Sequence, residues 1–283
     1  MLSKEGETVS IGLPVFDGAD YLERSITSLL NQTWSNLEII VSDNCSEDAT
    51  WDVIEFFSKQ DSRIRAYRQE ENIGAHGNFE YVLNLAKGEY FMWAGCDDWW
   101  APTFVESLVA GLKKRSGFGV AMSSIDRVKE DGTKLDSIIY PALQNESPRQ
   151  VFRRMVKFDP SPPLHIFVYG VFQTSLIKSL MLRGLADTIA ADRILMCEAS
   201  LSTGFYSTPD ILHKRTVRDR PISLRYENEV MAVAWSERTR HIKYFSALLS
   251  RLAFSANIPL WRKLREVPWV WVILVSRYFR SFF

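Results

Sequence analysis

Along the first hundred residues the apolar positions switch repeatedly between strand-length runs and helical spacing. Residues 8–15 are a short apolar run bounded by Pro14 and Gly18, which predicts a buried strand. Leu22, Ile26, Leu29 and Leu30 then recur at helical intervals, and the β-branched run 37–42 predicts a second strand. Ser46 is placed to cap the next helix, with Glu47 and Asp48 in its first turn and Val53, Phe56 and Phe57 on its inner face. A third strand is expected at 64–68. A helical stripe of Phe79, Val82, Leu83 and Ala86 follows, stopped at Lys87-Gly88, where glycine suits the position after a helix. A fourth strand is expected at 89–94. Pro102 then stands where a new helix takes proline in its first turn, with Phe104, Val105, Leu108 and Leu112 on its buried side.

Strands alternating with helices of this length imply parallel βαβ units in a sheet covered on both faces. Such sheets bind ligands beyond the carboxyl ends of their strands. Function is therefore expected in the segments 14–18, 43–46, 69–77 and 95–100. After Phe118 the pattern changes. Residues 119–128 and 133–139 flank Asp131-Gly132, the signature of a hairpin with a tight two-residue turn. A basic amphipathic helix is expected at 147–157, then a proline-rich stretch (Pro160, Pro162, Pro163) and an apolar run at 165–172. Helices are expected near 175–183 and 190–201, a strand at 205–212, and helices again from about Asn228. The domain reading is a catalytic unit at 1–220, divided into halves at about 8–102 and 103–220, and a helical C-terminal region at 221–283.

Composition narrows the class. The chain of 283 residues is 46% hydrophobic, enough for a substantial core, and its 34 basic residues balance 34 acidic ones. Nothing in that balance points to a nucleic-acid partner. Cys45, Cys96 and Cys197 are odd in number and lack metal-ligand spacing, which fits a reducing compartment. No apolar segment suited to a secretory signal opens the sequence, so a cytoplasmic location is expected.

Adjacent carboxylates after a strand, as at Asp97 and Asp98, repel each other and call for a cationic partner. Magnesium or manganese, gripping phosphate oxygens at the same time, would meet that need; an acidic turn capping the next helix through Asp98 is the competing reading. Asp43, at the end of the second strand, accepts hydrogen bonds only when ionised. It suits a ligand presenting an imide N–H, as uracil or thymine does, although an Asx-turn would use the same residue. Phe16 is placed to stack on such a base. No glycine-rich phosphate loop of the dinucleotide or P-loop type is present, so diphosphate must be neutralised by other means.

Taken in order, these pieces resemble a known family. The carriers are Ile11 to Asp17 (IGLPVFD), Ser28 to Trp34 (SLLNQTW), Leu37 to Asp43 (LEIIVSD), Asn72-Ile73-Gly74, Ala86 to Tyr90 (AKGEY) and Cys96-Asp97-Asp98 at the D-x-D position. The sequence is similar to the inverting glycosyltransferases of family 2, which have the GT-A fold, an α/β architecture with a mostly parallel central sheet flanked by helices. The similarity is strong over about 9–102. It implies that Pro14, Phe16 and Asp17 line the nucleoside pocket and that Asp43 contacts the base. It places Asn78, or His76 beside it, near the nucleotide. Asp97 would reach the ribose or donor sugar, and Asp98 would hold a divalent metal (Mn2+ or Mg2+) on the diphosphate. Cys96 stands where many relatives carry an aspartate.

The resemblance also implies a general base in the second half, on an acidic residue opening a helix. Asp192 in Ala190-Ala191-Asp192-Arg193 fits, with an aspartate that caps its helix and pairs with Arg193 as the alternative. Asp187, Glu198 and Asp126 are fallback bases. The basic run His213, Lys214, Arg215, Arg218 and Arg220 reads as a solvated loop, with His213 as a further metal ligand. His76, His165 and His241 read as ordinary histidines.

The tail from Trp261 mixes aromatics, up to Phe282 and Phe283, with arginine and lysine around the charge-free stretch 267–276, too short to span a bilayer. It suits a helix on an anionic membrane surface, or else one packed on the catalytic domain or on a partner in a homodimer. The function expected is transfer from a UDP- or dTDP-sugar donor to a saccharide or lipid-linked saccharide acceptor in cell-surface polysaccharide synthesis. The alternative is a sugar-nucleotide-binding scaffold with little turnover. A nucleotidyltransferase is set aside, because the segment after the first strand lacks a glycine- and lysine-rich loop.

Overall fold

The computed structural model describes residues 7–156, 163–186, 188, 190–218 and 237–280, with side chains omitted for 237–242 and 274–280. Four strands of the first half, β1 (Val9–Val15), β2 (Leu37–Asp43), β3 (Ile64–Arg68) and β4 (Tyr90–Trp93), pair in parallel in the order β3-β2-β1-β4. Helices α1 (Ala19–Leu30), α2 (Thr50–Gln60) and α3 (Gly74–Leu85) make the crossovers. β1 is buried along its whole length, as a strand covered on both faces must be. The alternation of strand and helix expected here is observed, with one correction: Phe56, expected on the inner face of α2, is 58% exposed, and Ile54 is buried instead.

Beyond β4 the sheet becomes mixed. β5 (Trp99–Trp100), α4 (Phe104–Lys113), β6 (Phe118–Val128) and β7 (Lys134–Ile138) follow, then α5 (Pro148–Val156), β8 (Val171–Gln173), α6 (Thr174–Met181), α7 (Ala191–Ser202) and β9 (Gly204–Thr216). The sheet continues β4-β8-β6-β9-β5, with β7 added to β6 as a hairpin. β8 runs antiparallel to both β4 and β6, whereas β6 and β9 are parallel. Two C-terminal helices, α8 (Glu237–Phe254) and α9 (Leu260–Arg280), complete the described chain.

Several local expectations are corrected. α2 starts at Thr50 rather than at a Ser46 cap. Asp43 Oδ1 takes the Ser46 amide at 3.0 Å, and the Ser46 hydroxyl is used by the Asp17 amide at 2.9 Å. Asp48 instead holds the entry, accepting from the Thr50 and Ala19 amides. The hairpin turn is longer than two residues. Its Gly132 sits at φ +85° and donates to the Lys129 carbonyl, a left-handed position that favours glycine. Gly88 does not cap α3. It lies where a β-carbon would come within 2.4 Å of the Thr8 carbonyl oxygen, so its absence of side chain lets the chain run flush against β1. The apolar run at 165–172 splits into a 3-10 turn (Leu164–Tyr169) and β8.

Candidate active site

The carboxyl ends of β1, β2 and β4 converge with the far end of β9. β9 runs four residues past its expected limit, so His213, Lys214 and Arg215 are strand residues rather than loop. The reason is pairing on both sides. Ile125 to Arg127 on β6 pair with His213 to Arg215, and Trp99-Trp100 pair with Lys214 and His213 from the other edge. A strand with a ladder on each edge is not released into solvent at its third basic residue.

α1 helps fix the acidic turn between β4 and β5. The Gln32 amide donates to Ala101 O at 2.9 Å, and its carbonyl accepts from the Val105 amide at 3.0 Å. Arg24 Nη2 donates to Asp97 O at 2.7 Å. Asp98 is buried: its Oδ1 accepts from the Thr216 amide at 2.9 Å, and its Oδ2 lies 3.0 Å from His213 Nε2. His213 is fully enclosed, stacked parallel to Trp100 at 5.3 Å, with Nδ1 lacking a hydrogen bond. The carboxylate of Asp97 points the other way and receives Arg218 Nε at 2.7 Å; that guanidinium also lies over the Tyr21 ring at 4.5 Å. Burial and the neighbouring Asp98 raise the Asp97 pKa, against the lowering pull of Arg218. Burial and Asp97 push the Cys96 thiol up to about 12. Cys96 is thus a neutral thiol at physiological pH and does not replace the missing carboxylate.

At the carboxyl end of β2, Asp43 has no exposed surface. Its Oδ2 is 3.3 Å from Arg68 Nε, but without hydrogen-bond alignment, so that oxygen has lone pairs to offer. Phe16, one residue past the Val15 that pairs with Asp43, is exposed, and Asp17 adopts φ 46° while its carboxylate accepts from the Glu47 amide. Pro14 is buried within β1, opposite Ser42. Asn78 Nδ2 donates to Ser42 O at 2.9 Å and ties α3 to β2, while its Oδ1 is buried without a partner. His76 lies two residues earlier on the same helix, partly exposed.

Asp192 is the second residue of α7, and its Oδ1 accepts from the Arg193 amide at 2.7 Å. Ala190, at φ 64°, rather than Asp192, precedes the helix. The Arg193 side chain reaches His165 Nδ1 at 3.2 Å. Of the fallback bases, Glu198 is buried against Arg251, and Asp126 is engaged by Lys134 and Ser137 on the hairpin. Asp187 and Arg220 lie outside the described residues.

Tyr169, which the sequence pattern did not single out, lies beneath Arg215. Burial raises its hydroxyl pKa; Arg215, whose guanidinium lies over the ring at 5.6 Å, opposes this, and Asp98, Asp192 and Asp97 add to it. Thr216 and Arg68 were likewise unannounced. Arg68, though, ends a recognisable strand and stands opposite Asp43 in the β2–β3 register.

Comparison with known proteins bears on the family and the fold. The model of the family "Glycosyl transferase family 2" matches residues 10–179. A putative teichuronic acid biosynthesis glycosyltransferase, TuaG of Bacillus subtilis, is 32% identical over 132 residues, covering 47% of this chain and 52% of its own. WfaP of Escherichia coli, a UDP-Glc:alpha-D-GlcNAc-diphosphoundecaprenol beta-1,3-glucosyltransferase, is 35% identical over 112 residues, 40% of this chain and 44% of its own. The match thus spans about half the length of these relatives. Among solved structures, S. aureus TarS 1-349 in complex with UDP-GlcNAc superposes with a TM-score of 0.67 at 16% identity, covering 91% of this chain and 69% of that one. The mannosyltransferase PcManGT from Pyrobaculum calidifontis, in complex with GDP-Man and Mn2+, gives 0.56 at 15% identity, with 96% and 70% covered. These likenesses establish the GT-A fold. With the family model spanning well over half of its length, the chain belongs to glycosyl transferase family 2.

Proposed function

We propose that the protein transfers a sugar, with inversion, from a UDP- or dTDP-sugar to a saccharide or lipid-linked saccharide acceptor in the synthesis of a cell-surface polysaccharide at the cytoplasmic side. The observation that carries this reading is the acidic turn past β4, where buried Asp98 meets His213 Nε2 at 3.0 Å and the Thr216 amide at 2.9 Å while Asp97 takes Arg218 Nε at 2.7 Å. An inverting displacement needs a group that stabilises the leaving diphosphate and a general base on opposite sides of one anomeric carbon, the parts assigned to this turn and to Asp192. The teichuronic acid and diphosphoundecaprenol named for the two relatives supply the acceptor class.

Each group has a chemical part in this reading. Asp43 Oδ2, buried and without a hydrogen bond, accepts the imide N–H of the base, and the exposed Phe16 ring covers the base face. Asn78 holds the ends of β1 and β2 at the spacing that frames the nucleoside. Asp97 orients the ribose or donor sugar.

Asp98 and His213 are the residues that would hold a divalent cation. Their facing atoms, Asp98 Oδ2 and His213 Nε2, lie 3.0 Å apart, near enough for both to turn onto one cation. No group of three His, Cys, Asp or Glu able to hold a metal occurs among the described residues. The other positions would therefore fall to diphosphate oxygens and water, as is usual for magnesium-type sites. A cation bound there supplies positive charge against the leaving diphosphate. Arg218, aligned by Asp97 and Tyr21, brings a second positive charge to the same side.

Asp192 removes the proton from the acceptor hydroxyl as it attacks, through the oxygen that does not accept from the Arg193 amide. An Asp192→Asn enzyme is expected to bind nucleotide as the wild type does and to lose transfer by about 10²- to 10⁴-fold. Isothermal titration with UDP beside a transfer assay reads both quantities. Retention of full transfer by the variant would remove Asp192 from the role.

A further inference from the structure

α9 carries two apolar faces, and only one of them is covered. Glu266, Trp269, Val270 and Ile273 recur at helical spacing and turn toward the catalytic domain. Glu266 has no exposed surface and is met by Arg149 Nε at 3.0 Å and Arg153 Nε at 3.5 Å from α5. Trp269 lies against Phe152 and under the Arg153 guanidinium, 4.5 Å from the ring centre. On the opposite side, at 3.6 residues per turn, Leu260, Trp261, Leu264, Pro268, Trp271 and Val272 form a second stripe. Leu264 is 70% exposed and Trp271 54% exposed. The stripe continues toward Phe254, 74% exposed, because Lys263 Nζ grips the neighbouring Ala253 carbonyl at 3.2 Å.

The rim of this stripe has one sign of charge. Arg262 and Arg265 both lie over the Trp261 ring at 5.1 Å, and Arg183 lies over Phe254 at 5.9 Å. Within residues 174–186 and 250–273 the sequence contains a single acid, Glu266, and that one is buried beneath arginines. A run of exposed apolar side chains of this extent marks an interaction surface. Two copies meeting about a twofold axis through it would set each basic rim against itself. Anionic headgroups complement the rim, and acyl chains complement the stripe.

We propose that this face of α9, with Phe254 at its edge, is the surface by which the protein lies on a bilayer containing anionic lipid. α9 rests in the interface with its glutamate-anchored side held to the enzyme. No helix among the described residues is long and apolar enough to cross a membrane, so the attachment is along the surface. The arrangement rests on the outer face of α9 and not on the transferase chemistry.

The test is sedimentation of the full chain with vesicles, either of phosphatidylcholine alone or of phosphatidylcholine mixed with phosphatidylglycerol. Binding is expected to the mixed vesicles, to weaken with added salt, and to fall about ten- to a hundredfold in Leu264→Glu. Trp271→Ser is expected to weaken it in the same direction, and because both side chains are exposed the melting temperature should hold. No binding to either vesicle, or binding unchanged by both variants, overturns the proposal. So does a dimer, seen by light scattering, that Leu264→Glu dissociates. UDP binding measured on the same samples is expected to stay unchanged, which separates this result from the fate of the transferase reading.

Discussion

A histidine with no exposed surface must place two ring nitrogens, and His213 places one against Asp98 Oδ2 and leaves Nδ1 without a hydrogen bond. Stacking on Trp100 holds the ring in place of a second polar contact. His213→Ala leaves Asp98 buried with only the Thr216 amide. It is expected to lower stability by at least about 1–3 kcal/mol, visible as a lower melting temperature. The same variant should abolish the difference between UDP binding with manganese and with a chelator; an unchanged manganese effect would argue against cation ligation at this pair. At this scale the carboxylates were legible in the sequence, since Asp43 ends β2, Asp97 and Asp98 follow β4 in a turn, and Asp192 lies in the first turn of a helix. Tyr169 and Thr216 were not, because an isolated tyrosine in an apolar run and a threonine after three basic residues carry no periodic signal.

The elements gain their order from side chains at the amino ends of the strands as well as at the site. Glu38 on β2 accepts from Ser10 Oγ on β1 at 2.5 Å, from Arg65 on β3 at 2.9 Å, and from the Lys87 amide before β4 at 2.7 Å. Burial works against its charged form, yet those donors together draw its pKa below the ordinary 4.5. A depressed carboxylate contributes stability that is present above its unfolded value and is lost as pH falls through the folded one. Glu38→Gln should therefore melt below the wild type at neutral pH, and the gap should close as pH drops below about 4.5; a gap that persists in acid would refute the linkage. Helix and strand types in this half were readable from period alone. The start of α2 was not. Ser46, a good cap by composition, is consumed by Asp17 and Asp43 from other parts of the chain.

For the molecule as a whole, the C-terminal helices join the catalytic domain through buried ion pairs. Arg251 on α8 meets Glu198 on α7 and also donates to Gly184 O and Leu180 O. Glu198, a fallback base by sequence, is thus a structural anchor. Arg251→Met leaves its carboxylate buried and unpaired, a change that typically costs about 3–5 kcal/mol. Denaturant unfolding should show that loss, and a second substitution, Glu198→Gln, should recover part of it. An unaltered midpoint in the single variant would mean that the pair contributes nothing.

What the sequence determined by itself is the alternation of strands and helices, the parallel first half of the sheet and the carboxylates at its strand ends. Those features are written in local periodicity and in the chemistry of short ordered motifs. Tertiary structure decided which of these groups meet. Asp98 and His213 are 115 positions apart, and they face each other only because β9 pairs with β5 on one edge and β6 on the other. The tail follows the same logic. Its amphipathic mixture was legible, but only docking against α5 divides it into a buried face and a free one, since burial depends on the neighbours a helix finds and not on its own spacing.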